Sequence, residues 1–202
     1  MMKKIIPIML GLTLCACGGV RVVDLDNEKE VAAMQDVMEL EYRDWTNTAE
    51  KMTQSMLKSG AFRQVKNPVI AIGNIKNDTQ QRFDTDMLTK KIRTTLLKSG
   101  TAQIATNFSG EDTTTEKMRS MRTNAEYDQE TIAKTGTLVA PNMSLSGKML
   151  QRNLKLDSGW FSSVDTRTEY YLQLTLTDLK TGLSVWEDEQ PIIKEGTHAP
   201  TW

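Results

Sequence analysis

Between Asp44 and Gly60 the apolar residues fall at Trp45, Ala49, Met52, Met56 and Leu57, the three- and four-residue steps of one helix face. Asp44 is placed to cap that helix and Gly60 to end it. The period then changes. Val69-Ile70-Ala71-Ile72 is an unbroken apolar run entered through Pro68, the mark of a strand buried on both faces, and 73–79 leads out of it as a polar loop. Leu88, Ile92, Leu96 and Leu97 restore the helical step and predict a helix over 85–99, with Asp84 as cap and Gly100 as stop. A short strand over 102–106 completes a strand–helix–strand unit. Thr113 with Glu116 fits a capping box that opens a helix carrying Met118 and Met121. Asp128 opens a shorter one with Ile132 and Ala133, closed by Gly136.

Period two takes over in the last third. Val139, Met143, Leu145 and Met149 alternate with Asn142, Ser144, Ser146 and Lys148. Tyr170, Leu172, Leu174 and Leu176 alternate with Tyr171, Gln173, Thr175 and Thr177. Both runs predict strands with one packed and one wetter face. The chain turns at 179–183, where Gly182 is available for a positive φ. Val185-Trp186 and Pro191-Ile192-Ile193 form a final strand, and Pro191 assigns it to an edge or a bulge. Trp45 and Trp186 fall on core positions. The fold class that follows is α/β: a small mixed sheet with a C-terminal antiparallel hairpin, flanked by helices.

The N-terminus follows another logic. Lys3 and Lys4 precede an apolar run from Ile5 to Leu14, about half the ~20 residues a membrane-spanning helix needs. A charged start, a short apolar middle and a small-residue cleavage site describe a secretory signal. It closes on Leu14-Cys15-Ala16-Cys17, which resembles the lipidation site of bacterial lipoproteins, with Cys17 as the modified residue. That resemblance implies a diacylglyceryl thioether and a further acyl chain on Cys17, and two or more chains anchor firmly. Gly18, in place of an aspartate, directs the product to the outer membrane under the enterobacterial sorting rule. The expected organisation is a signal peptide over 1–16, a lipid-anchored tether over 17–42 and a periplasmic domain over 43–202. As a flexible coil of about 25 residues the tether spans ~25–30 Å on average, and ~85 Å fully extended. Helix within 31–40 would shorten it.

Composition narrows the function. The net charge is −1 with both signs interspersed, so nucleic acid is not expected as a partner. The one histidine, His198, sits four residues from the C-terminus, a poor place for a general base. Cys15 leaves with the signal and Cys17 carries lipid, so no thiol remains for catalysis or a disulfide. No phosphate-binding glycine loop is present. Glu187-Asp188-Glu189 reads as a charged edge strand before any calcium site, which would need more oxygen ligands at defined spacing. The twelve methionines read mostly as core filler. No enzyme, metal, cofactor or small-molecule substrate is expected. Trp160-Phe161 stands out, between two predicted strands in a stretch with Ser158, Gly159, Ser162 and Ser163. Two large aromatics at a hairpin tip cannot both point inward. Either one folds back over an end of the core, or the pair contacts a partner, as aromatics do at binding hot spots.

Several stretches together resemble the penicillin-binding protein activator LpoB family: Asp44-Trp45 at the first helix, Val69 to Thr79, Leu145-Ser146-Gly147-Lys148, and Tyr170 to Trp186. The resemblance covers 44–195 and rests on the order of motifs. It implies a domain related to the N-terminal domain of TolB and to part of the curli-secretion lipoprotein. It further implies a lipoprotein that reaches from the outer membrane to a class A, bifunctional penicillin-binding protein and stimulates peptidoglycan synthesis as an allosteric ligand. No docking residue carries over; only Cys17 does. This chain departs from enterobacterial members in having no proline between Pro7 and Pro68, where they carry a long Pro-rich tether. The alternative is a structural or secretion-accessory lipoprotein of curli-apparatus type, but no pair of long lipid-facing strands is evident.

Overall fold

On strand β4 (Thr166–Asp178) the even-numbered residues from Thr166 to Leu176 are all buried, while Tyr171, Gln173 and Thr175 are half exposed. That alternation makes one face of the sheet a core wall. The structure is a computed structural model that describes residues 23–24, 26–34, 37–106, 112–156 and 165–196. It falls into two units, 1–35 and 36–202. In the first, helix α1 (Glu28–Ala32) is capped by the Asn27 side chain, which accepts the Lys29 N–H.

The second unit runs α2 (Tyr42–Ser59), β1 (Val69–Asp78), α3 (Asp86–Ser99), β2 (Gln103–Ile104), α4 (Thr114–Ser120), β3 (Met143–Lys155), β4 and β5 (Ser184–Gly196). The sheet order is β2-β1-β3-β4-β5. β1 lies parallel to β2 and β3, and β3, β4 and β5 form an antiparallel meander. The fold is mixed α/β, as the sequence pattern implies.

Helices α2 and α3 lay their apolar stripes on the core wall. Trp45, Ala49, Met52 and Met56 join Leu88, Ile92 and Leu96 against Ile70, Leu145, Met149, Leu172 and Leu174. Trp45 also packs on Phe83, ring centroids 4.4 Å apart. Both helices end on a glycine in the left-handed region, Gly60 (φ 79°) and Gly100 (φ 66°). Trp186 is buried, and β5 is the edge strand that Pro191 and the acidic run suggest.

Several elements differ from expectation. β1 does not stop at Ile72. A bulge between Ile72 and Ile75 inserts one residue, so burial passes from the even positions Ile70 and Ile72 to the odd Ile75, and the strand continues to Asp78. Val139 is 61% exposed and precedes β3, whose alternation starts only at Met143. α2 begins three residues early, with Glu41 at the cap and Asp44 inside the helix accepting the Glu41 N–H at 2.9 Å. α3 starts at Asp86, and Leu97 on it is exposed. The second strand is only Gln103–Ile104. At α4 the expected Thr113 cap gives way to Asp112, which accepts the Thr114 N–H and the Thr115 hydroxyl. Residues 128–136 form turns rather than a helix.

Candidate docking surface

Cys17, Trp160, Phe161 and His198 lie outside the described residues. The residues that flank the Trp160-Phe161 connection on either side, Leu156 and Asp165, are described. The connection that carries Trp160 and Phe161 leaves after Leu156 and returns at Asp165. Leu156 N–H donates to Asp165 O at 2.7 Å, and Asp165 N–H donates to Gly196 O at 3.1 Å. One clamp therefore ties β3, β4 and β5 together at this end of the sheet.

A strap of chain at 37–41 crosses the helix side of the same end. Lys194, on β5, donates to Val37 O at 2.9 Å and Glu39 O at 2.8 Å, and pairs with the Asp44 carboxylate at 2.6 Å. The two side chains are only 11% and 16% exposed. The Gln81 amide reads both backbone groups of buried Leu40: Leu40 N–H donates to Oε1 at 2.8 Å, and Nε2 donates to Leu40 O at 3.1 Å. The Tyr170 hydroxyl donates to Met38 O at 3.2 Å. Three side chains from separate strands and loops thus satisfy strap backbone that has no ladder partner of its own. The chain enters the domain, and the Trp160-Phe161 connection leaves it, at one end of the sheet.

Burial pushes the Tyr170 phenol well above its ordinary range, and the nearby Glu39 and Asp44 add to the shift. The folded protein keeps this proton, while the unfolded chain loses it above about pH 10. The contribution of Tyr170 to stability is therefore intact below about pH 10 and lost as pH rises through the raised value. Denaturation midpoints taken at about pH 8 and about pH 11 should show an alkaline loss that Tyr170→Phe reduces. An equal loss in the variant would assign it to other groups.

No cluster of metal-ligating side chains is found among the described residues, and no described helix is long and apolar enough to cross a membrane. Sequence reasoning missed Lys194 and Gln81. Their partners lie 155 and 41 positions away along the chain, so no local pattern marks them.

Fold and surface together define an α/β domain with a helix-covered mixed sheet and a chain entry pinned at one sheet end. The chain belongs to the peptidoglycan-synthase activator LpoB family, whose model matches residues 44–192. It is a family of regulators of an enzyme. Among solved structures it is similar to the LpoB C-terminal domain from Salmonella enterica, with 16% identity over 74% of this chain and 98% of that one and a TM-score of 0.43. It is also similar to the LpoB C-terminal domain from Escherichia coli, with 13% identity over 74% and 98% and a TM-score of 0.42. The E. coli LpoB structure solved by NMR matches at 13% identity over 96% and 93%, with a TM-score of 0.40. No curated protein matches the chain.

Proposed function

We propose that this protein is an outer-membrane lipoprotein, anchored through Cys17 and facing the periplasm, that binds a class A penicillin-binding protein and activates it allosterically. The observation that carries this reading is the family match over 44–192. An activator works by binding the active state of its target better than the idle one, a difference typically worth about 1–3 kcal/mol. No cofactor is needed for that. The strap sets the usable tether: from Cys17 to Val37 about 20 residues reach at most ~70 Å when fully extended, and α1 takes some of that length. The target must therefore rise toward the outer membrane, or the tether must work near full stretch.

Crosslinking in intact cells followed by capture of the chain tests this directly. Recovery of a class A penicillin-binding protein, with faster glycan polymerisation when the chain is added to it, is the expected result. Recovery of outer-membrane assembly proteins alone would overturn it. We assign Trp160 and Phe161 to the contact. Replacing both by alanine should weaken capture of the synthase about tenfold or more while leaving the thermal midpoint nearly unchanged. A large fall in the midpoint would place them in the core instead.

A further inference from the structure

The face of β3–β5 turned away from the helices sorts its charges by strand. β3 presents Lys148 and Arg152 there and no acid; β5 presents Glu187, Glu189 and Glu195 and no base. The register sets them in rungs across the sheet: Lys148–Gln173–Glu189, then Leu150–Tyr171–Pro191, then Arg152–Glu169–Ile193. Pro191 is exposed, Ile193 is 56% exposed, and Leu150 and Tyr171 are half exposed. An apolar band with ionic rungs on both sides is the anatomy of a protein interface.

Some of these charges are already engaged. Arg167 pairs with Glu195 at 2.6 Å, Gln173 donates to Glu189 at 2.6 Å, and the Tyr171 hydroxyl donates to Glu169 at 2.6 Å. Lys148 makes no ion pair among the described residues. It stands level with Glu189 but two strands, ~9–10 Å, away from it. The cationic and anionic columns are therefore parallel and too far apart to neutralise each other within one chain.

We propose that this face binds a second copy of the chain about a two-fold axis running along β4. Rotation about that axis lays β3 of one copy over β5 of the other and keeps every rung level. Lys148 then meets Glu189 of the partner subunit, twice per dimer. Tyr171 and Gln173 lie near the axis, and Arg152 reaches between Ile193 and Glu195 of the partner subunit. A two-fold axis across the strands would instead put β3 on β3 and oppose like charges, so the charge pattern selects one packing of the two. Aligned sheet-on-sheet contact is an ordinary way to cover such a face. Three strands of 13 residues make a strip on the order of 600 Å² per copy, below the ~800 Å² of a standard stable interface. The dimer is accordingly weak in solution, and anchoring in one membrane leaflet would raise its population by effective concentration.

Sedimentation of the full chain in detergent should show a concentration-dependent dimer, and Lys148→Glu or Glu189→Lys should each weaken it about tenfold. The double variant Lys148→Glu/Glu189→Lys restores it, because both members of each pair are exchanged; restoration also excludes misfolding as the cause. Gln173→Cys, near the axis, should be joined to its twin in membranes by a short bis-maleimide that spans the ~10 Å between packed sheets, and Gln54→Cys on the exposed side of α2 should not. A monomer at roughly 100 µM, or a double variant no better than the singles, overturns the proposal. So does a set of charge variants that alters capture of the synthase and leaves self-association untouched, since the face would then belong to that enzyme. Loss of self-association with activation intact would leave the synthase reading standing, so the two readings fail separately.

Discussion

Replacing Gly147 by alanine is expected to lower stability by about 3 kcal/mol, among the largest effects of any single methyl group in this chain. Gly147 sits in β3 opposite Leu174 of β4 and beside Ile75 of β1, just where the β1 bulge ends. A Cβ there would lie 2.3 Å from Gln173 O and 2.5 Å from Leu174 Cδ2. The leucine methyl has little room to move, because Leu174 is fully buried in the core. The carbonyl belongs to backbone paired on both sides, to Lys148 in β3 and Glu189 in β5, so shifting it strains two ladders. The glycine is needed here for its missing side chain rather than for an unusual φ. Chemical denaturation of Gly147→Ala against the parent chain checks this. A loss under about 1 kcal/mol would mean that β3 and β4 separate at this point at little cost.

Gly147 shows where the sequence is readable and where it is not. Its neighbours Leu145 and Met149 keep strict alternation, so the strand is legible, but a glycine at a core position gives no hint that a leucine from another strand fills its space. The core faces of α2, α3 and β4 were legible for the same reason: burial on one side leaves a periodic trace in the residues themselves. β1 shows the limit. Its bulge moves the buried face from Ile72 to Ile75, and a period-two pattern that changes phase looks like a strand that ends. Val139 failed the other way, an apolar residue in phase with the strand that follows it yet exposed before that strand begins. At α4, Thr113 and Glu116 have the spacing of a capping box, but Asp112, one residue earlier, accepts the Thr114 N–H and the Thr115 hydroxyl instead. Family membership was legible from the order of motifs. The strap was not, because its bonds join Val37 and Glu39 to Lys194, and that pairing exists only after β5 has joined the sheet.

The strap supplies the second large effect. Lys194→Met should cost about 2–3 kcal/mol, and it should act in two places of unequal depth. The substitution removes an ion pair whose members are nearly buried, and it leaves two strap carbonyls without their donor. Among the described residues Asp44 then keeps the Glu41 N–H as its hydrogen-bond donor, with the start of α2 beside it. An uncompensated carboxylate in that position weakens the start of α2 and the strap together. The strap keeps its other holds, the Gln81 amide on Leu40 and the Tyr170 hydroxyl on Met38, so it should loosen before the sheet does. Amide exchange separates the two effects. Leu40 and Glu41 should exchange faster by more than global stability predicts, while Leu172 in the sheet centre should follow global stability alone. Equal changes at all three would show that the strap opens only when the whole domain unfolds. Faster exchange confined to the strap would instead show that the chain entry is a separately releasable segment. Its release would lengthen the tether by about five residues, or ~17 Å, so that reach depends on one lysine on the edge strand.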